Sequence, residues 1–340
     1  MGNDCFDVRL KNFYPLKQRY KILLNYVIGP LLFLILSYAI YLRLKNQPNL
    51  EESWQMLQRS FNVYQPQLIL LLCLMLVNWG IEAKKWQLLV KPVQQLSYFS
   101  AFRAVLFGVA FSLFIPSGDY VGKILNMEEG KRLRSITQNI AGSMSQLIVT
   151  LIAGTCGLIY LRMNVWESKM ELVGLSVFWL DALMYVIVSG VIVLLLIYYK
   201  IARITTLAEK IPFIYRYRLF IMGLEEFGTK ELTRILLLSV LRFVVFIVQY
   251  LLVLFIFGVN IHTIDAISTT CVLFLVLALV PTITIAELGL RGEVSIQLFG
   301  LLSANTLGIV AASTLIWVVN LIIPALAGSL FILSVKIFRK

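Results

Sequence analysis

Long apolar runs separated by short polar connections set the pattern of this chain. Ile22–Leu42, Gln67–Val90, Ile136–Leu161, Leu172–Tyr199, Ile235–Phe257 and Leu307–Val335 are six such runs. A helix needs roughly 20 apolar residues to cross about 30 Å of hydrocarbon, and each run meets that length. The first is too long for a signal-peptide core and no small-residue cleavage site follows it, so it reads as a retained helix. The last is interrupted by Asn320 and Pro324. A short interfacial helix is expected around Glu52–Phe61. Glu82, Lys84, Lys85 and Trp86 come late in the second run and read as interfacial anchors.

Two further apolar runs, Tyr98–Phe114 and Ala266–Val280, are shorter, and each leads into a polar break. The first break lies in Ser112–Lys123 and the second in Pro281–Glu293. Pro116 and Pro281 cannot continue a helix, because proline lacks an N–H and clashes with the preceding turn. Gly118, Gly122 and Gly289 let the backbone bend or pack closely. Such a break is tolerated at membrane depth only where protein or a water-filled cavity satisfies the freed backbone groups.

The distribution of lysine and arginine separates two topologies. If the short runs crossed the membrane fully, the loops would divide these residues evenly, 14 to 14. If each break is the tip of a re-entrant hairpin, the split becomes 23 inside to 5 outside, with Arg242 and Arg291 left out as intramembrane. The positive-inside rule selects the hairpins. Both termini and the basic connection 200–234 are then cytoplasmic. The expected fold is an all-α polytopic membrane protein with about six full transmembrane helices and two re-entrant hairpins of opposite orientation. Halves 22–161 and 172–335 would form an inverted repeat, the plan of many transporters, within one integral-membrane domain spanning 1–340.

Composition agrees with this class and narrows the chemistry. The chain is 59% hydrophobic and 14% charged, with a mean hydropathy of +0.85. Its net charge of +12 lies in loops between apolar runs, which points to membrane orientation and anionic lipid rather than nucleic acid. Cys5, Cys73, Cys156 and Cys271 are far apart, and His262 stands alone. Neither a disulfide framework nor a metal site is expected, and no cofactor is called for. The phosphate-binding pattern G-x-x-x-x-G-K-[ST] does not occur, so any movement driven here draws on a gradient, on partner chemistry, or runs downhill.

The breaks carry the candidate site. Each starts a half-helix whose first turn offers free N–H groups and the positive end of a helix dipole, which suits a phosphate. Ser117 or Thr284 fits a capping position. Asp119 precedes Lys123 by four residues, and Glu287 precedes Arg291 by four, so each pair shares a helix face. Glu293 falls on a different face. The two tips are expected to meet at mid-depth, with Lys123 and Arg291 supplying positive charge to a lipid headgroup. Asp181 and Arg242 are weaker candidates, the first read as lying at the outer interface and the second as snorkelling inward.

The stretch L-F-I-P-S-G-D-Y-V-G-K, followed by a basic segment and a long helix, resembles the first signature of the lysylphosphatidylglycerol synthase transmembrane-region family, also called flippase-like domain proteins. The late stretch V-P-T-I-T-I-A-E-L-G-L-R-G-E is similar to its second motif. Pro116, Gly122, Pro281, Gly289, Arg291 and Glu293 match by position. Lys123 stands where the family usually has an acid, Gly292 intervenes between Arg291 and Glu293, and Glu287 replaces a commonly small residue. The resemblance covers nearly the whole chain. It implies a multi-pass protein of a bacterial inner membrane that moves, or helps to move, a phospholipid or lipid-linked intermediate between leaflets. Some relatives carry a fused aminoacyl transferase. These 340 residues leave no room for one, so lysyl transfer is not expected and the chain reads as a non-enzyme. Its expected partners are membrane lipids, with a lipid-modifying enzyme or a second copy of the chain as further ones. Two other readings stay open: a non-transporting scaffold for an envelope-lipid enzyme, and an intramembrane enzyme acting on headgroups.

Overall fold

A computed structural model describes residues 50–114, 118–125, 127–128, 131–165, 177–208, 227–280 and 284–334, with Tyr38 and Tyr41. Every regular element among them is helical. An entering helix α1 (Leu50–Val63) leads into α2 (Gln65–Val90), α3 (Tyr98–Phe114), the short α4 (Gly118–Leu125) and the long α5 (Arg132–Asn164). The second half holds α6 (Val177–Ala208), α7 (Thr229–Ile256), α8 (Thr263–Leu279), α9 (Thr284–Phe299), α10 (Thr306–Trp317) and α11 (Ile323–Ser334). Four of the described helices are long and apolar enough to cross a membrane: Gln65–Val90, Arg134–Asn164, Thr229–Ile256 and Thr306–Phe331. The protein is an all-α multi-pass membrane protein. The run Ile22–Leu42, apart from Tyr38 and Tyr41, and the proline-bearing tips, with Pro116, Ser117 and Pro281, lie outside the described residues, as do residues 209–226 of the connection 200–234.

Both short runs fold as hairpins. α4 turns back along α3: a side chain at Gly118 would strike the backbone of Phe111, and one at Gly122 would strike Phe107 and Gly108. Gly122 is therefore a close-packing position inside α4 and not a helix break. Gly289 is likewise a buried position within α9. After α4 the backbone N–H of Glu128 donates to Gln94 at 3.2 Å, so the chain leaves the first hairpin beside the loop through which it entered. The second hairpin closes the same way. Asn305 Nδ2, in the loop after α9, donates to the carbonyl of Phe257 at 3.0 Å, just before α8. That same asparagine caps α10 by accepting from Gly308 N–H at 2.9 Å.

The two entry points lie at opposite ends of α2. At its start, the Phe61 ring packs on Phe257 with centroids 5.8 Å apart, next to the mouth of the second hairpin. At its end, the chain runs into Gln94 and the mouth of the first. The turn into the second hairpin is fixed by Gly258, whose φ of +65° lies in the left-handed region that glycine alone enters freely. Val259 N–H bonds Leu254 O and Gly258 N–H bonds Phe255 O, the paired closure that ends a helix at such a glycine.

Each entering arm is gripped by the final span of the other half. α8 lies antiparallel against α5, where Gly154 meets Leu275 and Gly157 meets Ser268. α3 lies against α11, where Gly328 meets the backbone of Leu106. Small residues let backbones approach where lipid supplies no hydrophobic drive for association. The last span is continuous: Asn320 and Pro324 do not split it. A five-residue π turn, Val318–Ile322, precedes the proline, which has no N–H to donate to an i−4 carbonyl.

The hairpin arrangement sets a topology test. In a background without native cysteines, Glu128→Cys and His262→Cys stand at the two mouths, both exposed. The expected result in intact cells is that an impermeant thiol reagent labels His262→Cys and spares Glu128→Cys until the membrane is permeabilised. Labelling of both from one side contradicts the arrangement.

Candidate functional site

Glu82 of α2 is 7% exposed, and three cations surround it. Its Oε2 takes Lys85 Nζ at 2.8 Å and Arg242 Nη1 at 2.9 Å, while its Oε1 takes Lys123 Nζ at 3.0 Å. Glu82, Lys85 and Trp86 are thus interior groups and not interfacial anchors. Arg242 stands halfway along the 28-residue α7 and does not snorkel out. Its guanidinium lies 5.1 Å from the Trp79 ring and 5.4 Å from Phe246, and its Nε donates to Asn78 Oδ1 at 2.8 Å. Asn78 in turn donates to Asn320 in the π turn at 3.1 Å. One polar chain therefore links the first hairpin, α2, α7 and the last span.

Lys123 is saturated. Besides Glu82 it donates to Asp119 Oδ2 at 3.0 Å and Asn139 Oδ1 at 2.9 Å, and an ammonium has three protons to give. The Asp119–Lys123 pair forms as its spacing predicts. Asp119 holds Lys123 within α4, as expected of the empty site, and the bonds to Glu82 and Asn139 pin α4 to α2 and α5. On the second hairpin, Arg291 Nη2 donates to Glu287 Oε1 at 2.7 Å, again the pairing that four-residue spacing predicts. Glu293 accepts from Gln297 at 2.8 Å and is set apart from Arg291. Thr284 is the first residue of α9, with its side chain outside the described ones.

Two adjoining cavities bring the hairpins together. One, of about 380 Å³, is lined by Asp119 and Lys123 with Glu82, Lys85 and Ser112. The other, of about 350 Å³, is lined by Glu287 and Arg291 with Phe246, Phe274 and Trp317. Trp79, Gln146, Arg242 and Ala278 belong to both walls. Glu293 lines neither. Sequence reasoning passed over Asn78 and Asn139 and read Glu82 and Lys85 only as interfacial anchors. Asn78 and Glu82 carried a usable signal, polar side chains within a 26-residue apolar helix, where such groups usually mark function. Among the described residues, no three His, Cys, Asp or Glu side chains come together as metal ligands.

Removing the carboxylate at the centre takes the ion-pair partner from Lys85 and Arg242 and leaves Lys123 with Asp119 alone, a change that costs about 3–5 kcal/mol where a buried pair loses one partner. Glu82→Gln should therefore lower the thermal unfolding temperature of the detergent-purified protein by several degrees. Glu287→Gln frees only Arg291, at a partly exposed pair, and should lower it less.

The arrangement of spans, hairpins and charges can now be set beside known proteins. No curated protein matches the chain. Residues 22–328 match the family described as Lysylphosphatidylglycerol synthase TM region, which covers both hairpins and every residue that lines the two cavities. The protein has a lipid-related function in a membrane, and the chain belongs to the lysylphosphatidylglycerol synthase transmembrane-region family.

Proposed function

We propose that the protein moves a phospholipid or a lipid-linked intermediate between the leaflets of a bacterial inner membrane, with both termini cytoplasmic. The observation that carries this reading is the meeting of two hairpins from opposite mouths at adjoining, charge-lined cavities that share Arg242. An intramembrane charge is expensive to keep, and a polar path across the bilayer is its commonest use. A lipid has to carry its headgroup through the apolar middle, and fixed cations at that depth lower the barrier to a phosphate. The flanking aromatic and aliphatic side chains, Phe243, Phe246, Phe274 and Leu277, suit the glycerol and upper acyl carbons.

In this scheme Glu287 holds Arg291 until a headgroup takes its place. Arg291 has one carboxylate partner, so it can be released at the loss of a single ion pair. Membrane lipids are the partners this site requires. A lipid-modifying enzyme that supplies the cargo, or a second copy of the chain, is compatible with it.

The test is lipid movement in reconstituted vesicles. Arg291→Ala should abolish the movement of a fluorescent phospholipid while the unfolding temperature stays near that of the wild type. Arg291→Lys should retain part of the rate, since the charge remains and the planar fork is lost. Wild-type movement in Arg291→Ala would make the charged site structural and favour a scaffold for an envelope-lipid enzyme.

A further inference from the structure

Lys85 is a buried charge to which the movement scheme gives no task. It lines the 380 Å³ cavity of the first hairpin and is only 2% exposed. A side chain at Gly142 would stand 3.8 Å from Lys85 Cε, so the lysine stem runs between α2 and α5. Among the described residues its Nζ has one acidic partner, Glu82 Oε2 at 2.8 Å, and Arg242 Nη1 takes that same oxygen at 2.9 Å. An ammonium has three protons to place, and one carboxylate oxygen shared with a guanidinium is little to hold it in an apolar interior.

The charges around Lys85 do not balance. Its own helix brings Glu82, α4 brings Asp119 and Lys123, and α7 brings Arg242. From α3, α5, α8 and the last span the cavity takes only uncharged side chains, among them Ser112, Gln146, Ala278 and Leu321. Three cations thus face two carboxylates, one positive charge too many for a low-dielectric site. Only one of the three can give its charge up. The guanidinium of Arg242 stays protonated in any protein. Lys123 spends its protons on Glu82, Asp119 and Asn139, two of which are carboxylates. Lys85 remains, and a buried lysine is the cation that parts with its proton readily. Without that proton two cations face two carboxylates. The neutral amine also leaves Glu82 Oε2 to Arg242, the cation common to both cavities.

We infer that Lys85 is a proton-binding site, and that its exchange of a proton with water in the cavity couples a pH difference across the membrane to lipid movement. The ligand is the proton itself: the ammonium passes it to water, the amine takes it back, and no other bond is made or broken. Its presence sets how firmly Glu82 holds Arg242, and so acts on the wall that the two hairpins share. The coupling rests on the translocation reading, and the proton site does not.

Two measurements test this. The first is nuclear magnetic resonance of the purified full-length chain in a nonionic detergent, with isotope-labelled lysine and Lys85→Met to assign the signal. The Lys85 signal should pass from ammonium to amine at a pH where the exposed Lys84 and Lys91 are still charged. A Lys85 signal that changes together with theirs overturns the site. The second is movement of a fluorescent phosphatidylglycerol in phosphatidylcholine vesicles. A gradient of one pH unit can shift a one-proton equilibrium about tenfold, so it should change the wild-type rate severalfold, and a protonophore should cancel the change. Lys85→Met is fixed neutral and Lys85→Arg fixed positive, so neither rate should respond to the gradient. Unfolding temperatures check both variants, and the wild-type measurements decide alone if the variants unfold early. A wild-type rate that ignores the gradient overturns the coupling. A response kept in Lys85→Arg makes Lys85 a structural cation, and one kept in Lys85→Met places the coupling elsewhere; both leave translocation standing. Early release of the Lys85 proton with no lipid movement defeats translocation and leaves the proton site standing.

Discussion

A single carboxylate governs the interior of this protein. Glu82 bonds three cations from three places: its own helix, the first hairpin and α7. Burying any one of these charges alone would be unfavourable by several kcal/mol, and only their mutual satisfaction makes the cluster tolerable. The position of α4 follows from it, because Lys123 can reach Glu82 only if α4 turns back along α3. The orientation of Arg242 follows as well, since Glu82 and Asn78 fix two edges of its guanidinium and leave the third toward the cavities. The polar contact extends through Asn78 to Asn320, so the irregular turn of the last span belongs to the same unit.

Backbone approach does the rest of the positioning. Gly108 and Gly122 let the two arms of the first hairpin touch, and Gly154, Gly157 and Gly328 let each entering arm lie against a span of the opposite half. In hydrocarbon these contacts rest on van der Waals packing and not on exclusion of water. A side chain at Gly122 or Gly328 would meet neighbouring backbone well inside contact distance and would push the arms apart. The geometry around Glu82 therefore depends on these glycines as well as on its charges.

Much of the fold was legible in the sequence. Apolar runs located the described spans, closely for Gln67–Val90 and less so for Leu172–Tyr199, whose helix runs on to Ala208, and the lysine and arginine bias favoured hairpins over full crossings. The i, i+4 spacing announced the Asp119–Lys123 and Glu287–Arg291 pairs. What escaped was the partner of Lys123. Glu82 lies 41 residues earlier, near the end of an apolar run, and there the local pattern reads as an interface. Only the return of α4 beside α2 turns that stretch into interior, and local sequence carries no record of which helix will stand next to it. Arg242 was visible as a charge inside a span but mute about its partner, for the same reason. Gly122 looked like a break, since a glycine needed for close packing and a glycine needed for a bend are the same letter.

The two hairpins, alike in plan, are unequal in chemistry. The first is tied down by a lysine with every proton engaged, and the second by one arginine on one acid. A device built from two identical inverted halves would have outward- and inward-facing forms of equal energy, since each form is the other turned about a two-fold axis in the membrane plane. Here that degeneracy is broken in the sequence itself. If the protein moves a lipid as proposed, its resting form is set by the protein before any cargo arrives, and the cargo's work is to loosen the lightly held end of an unbalanced seesaw.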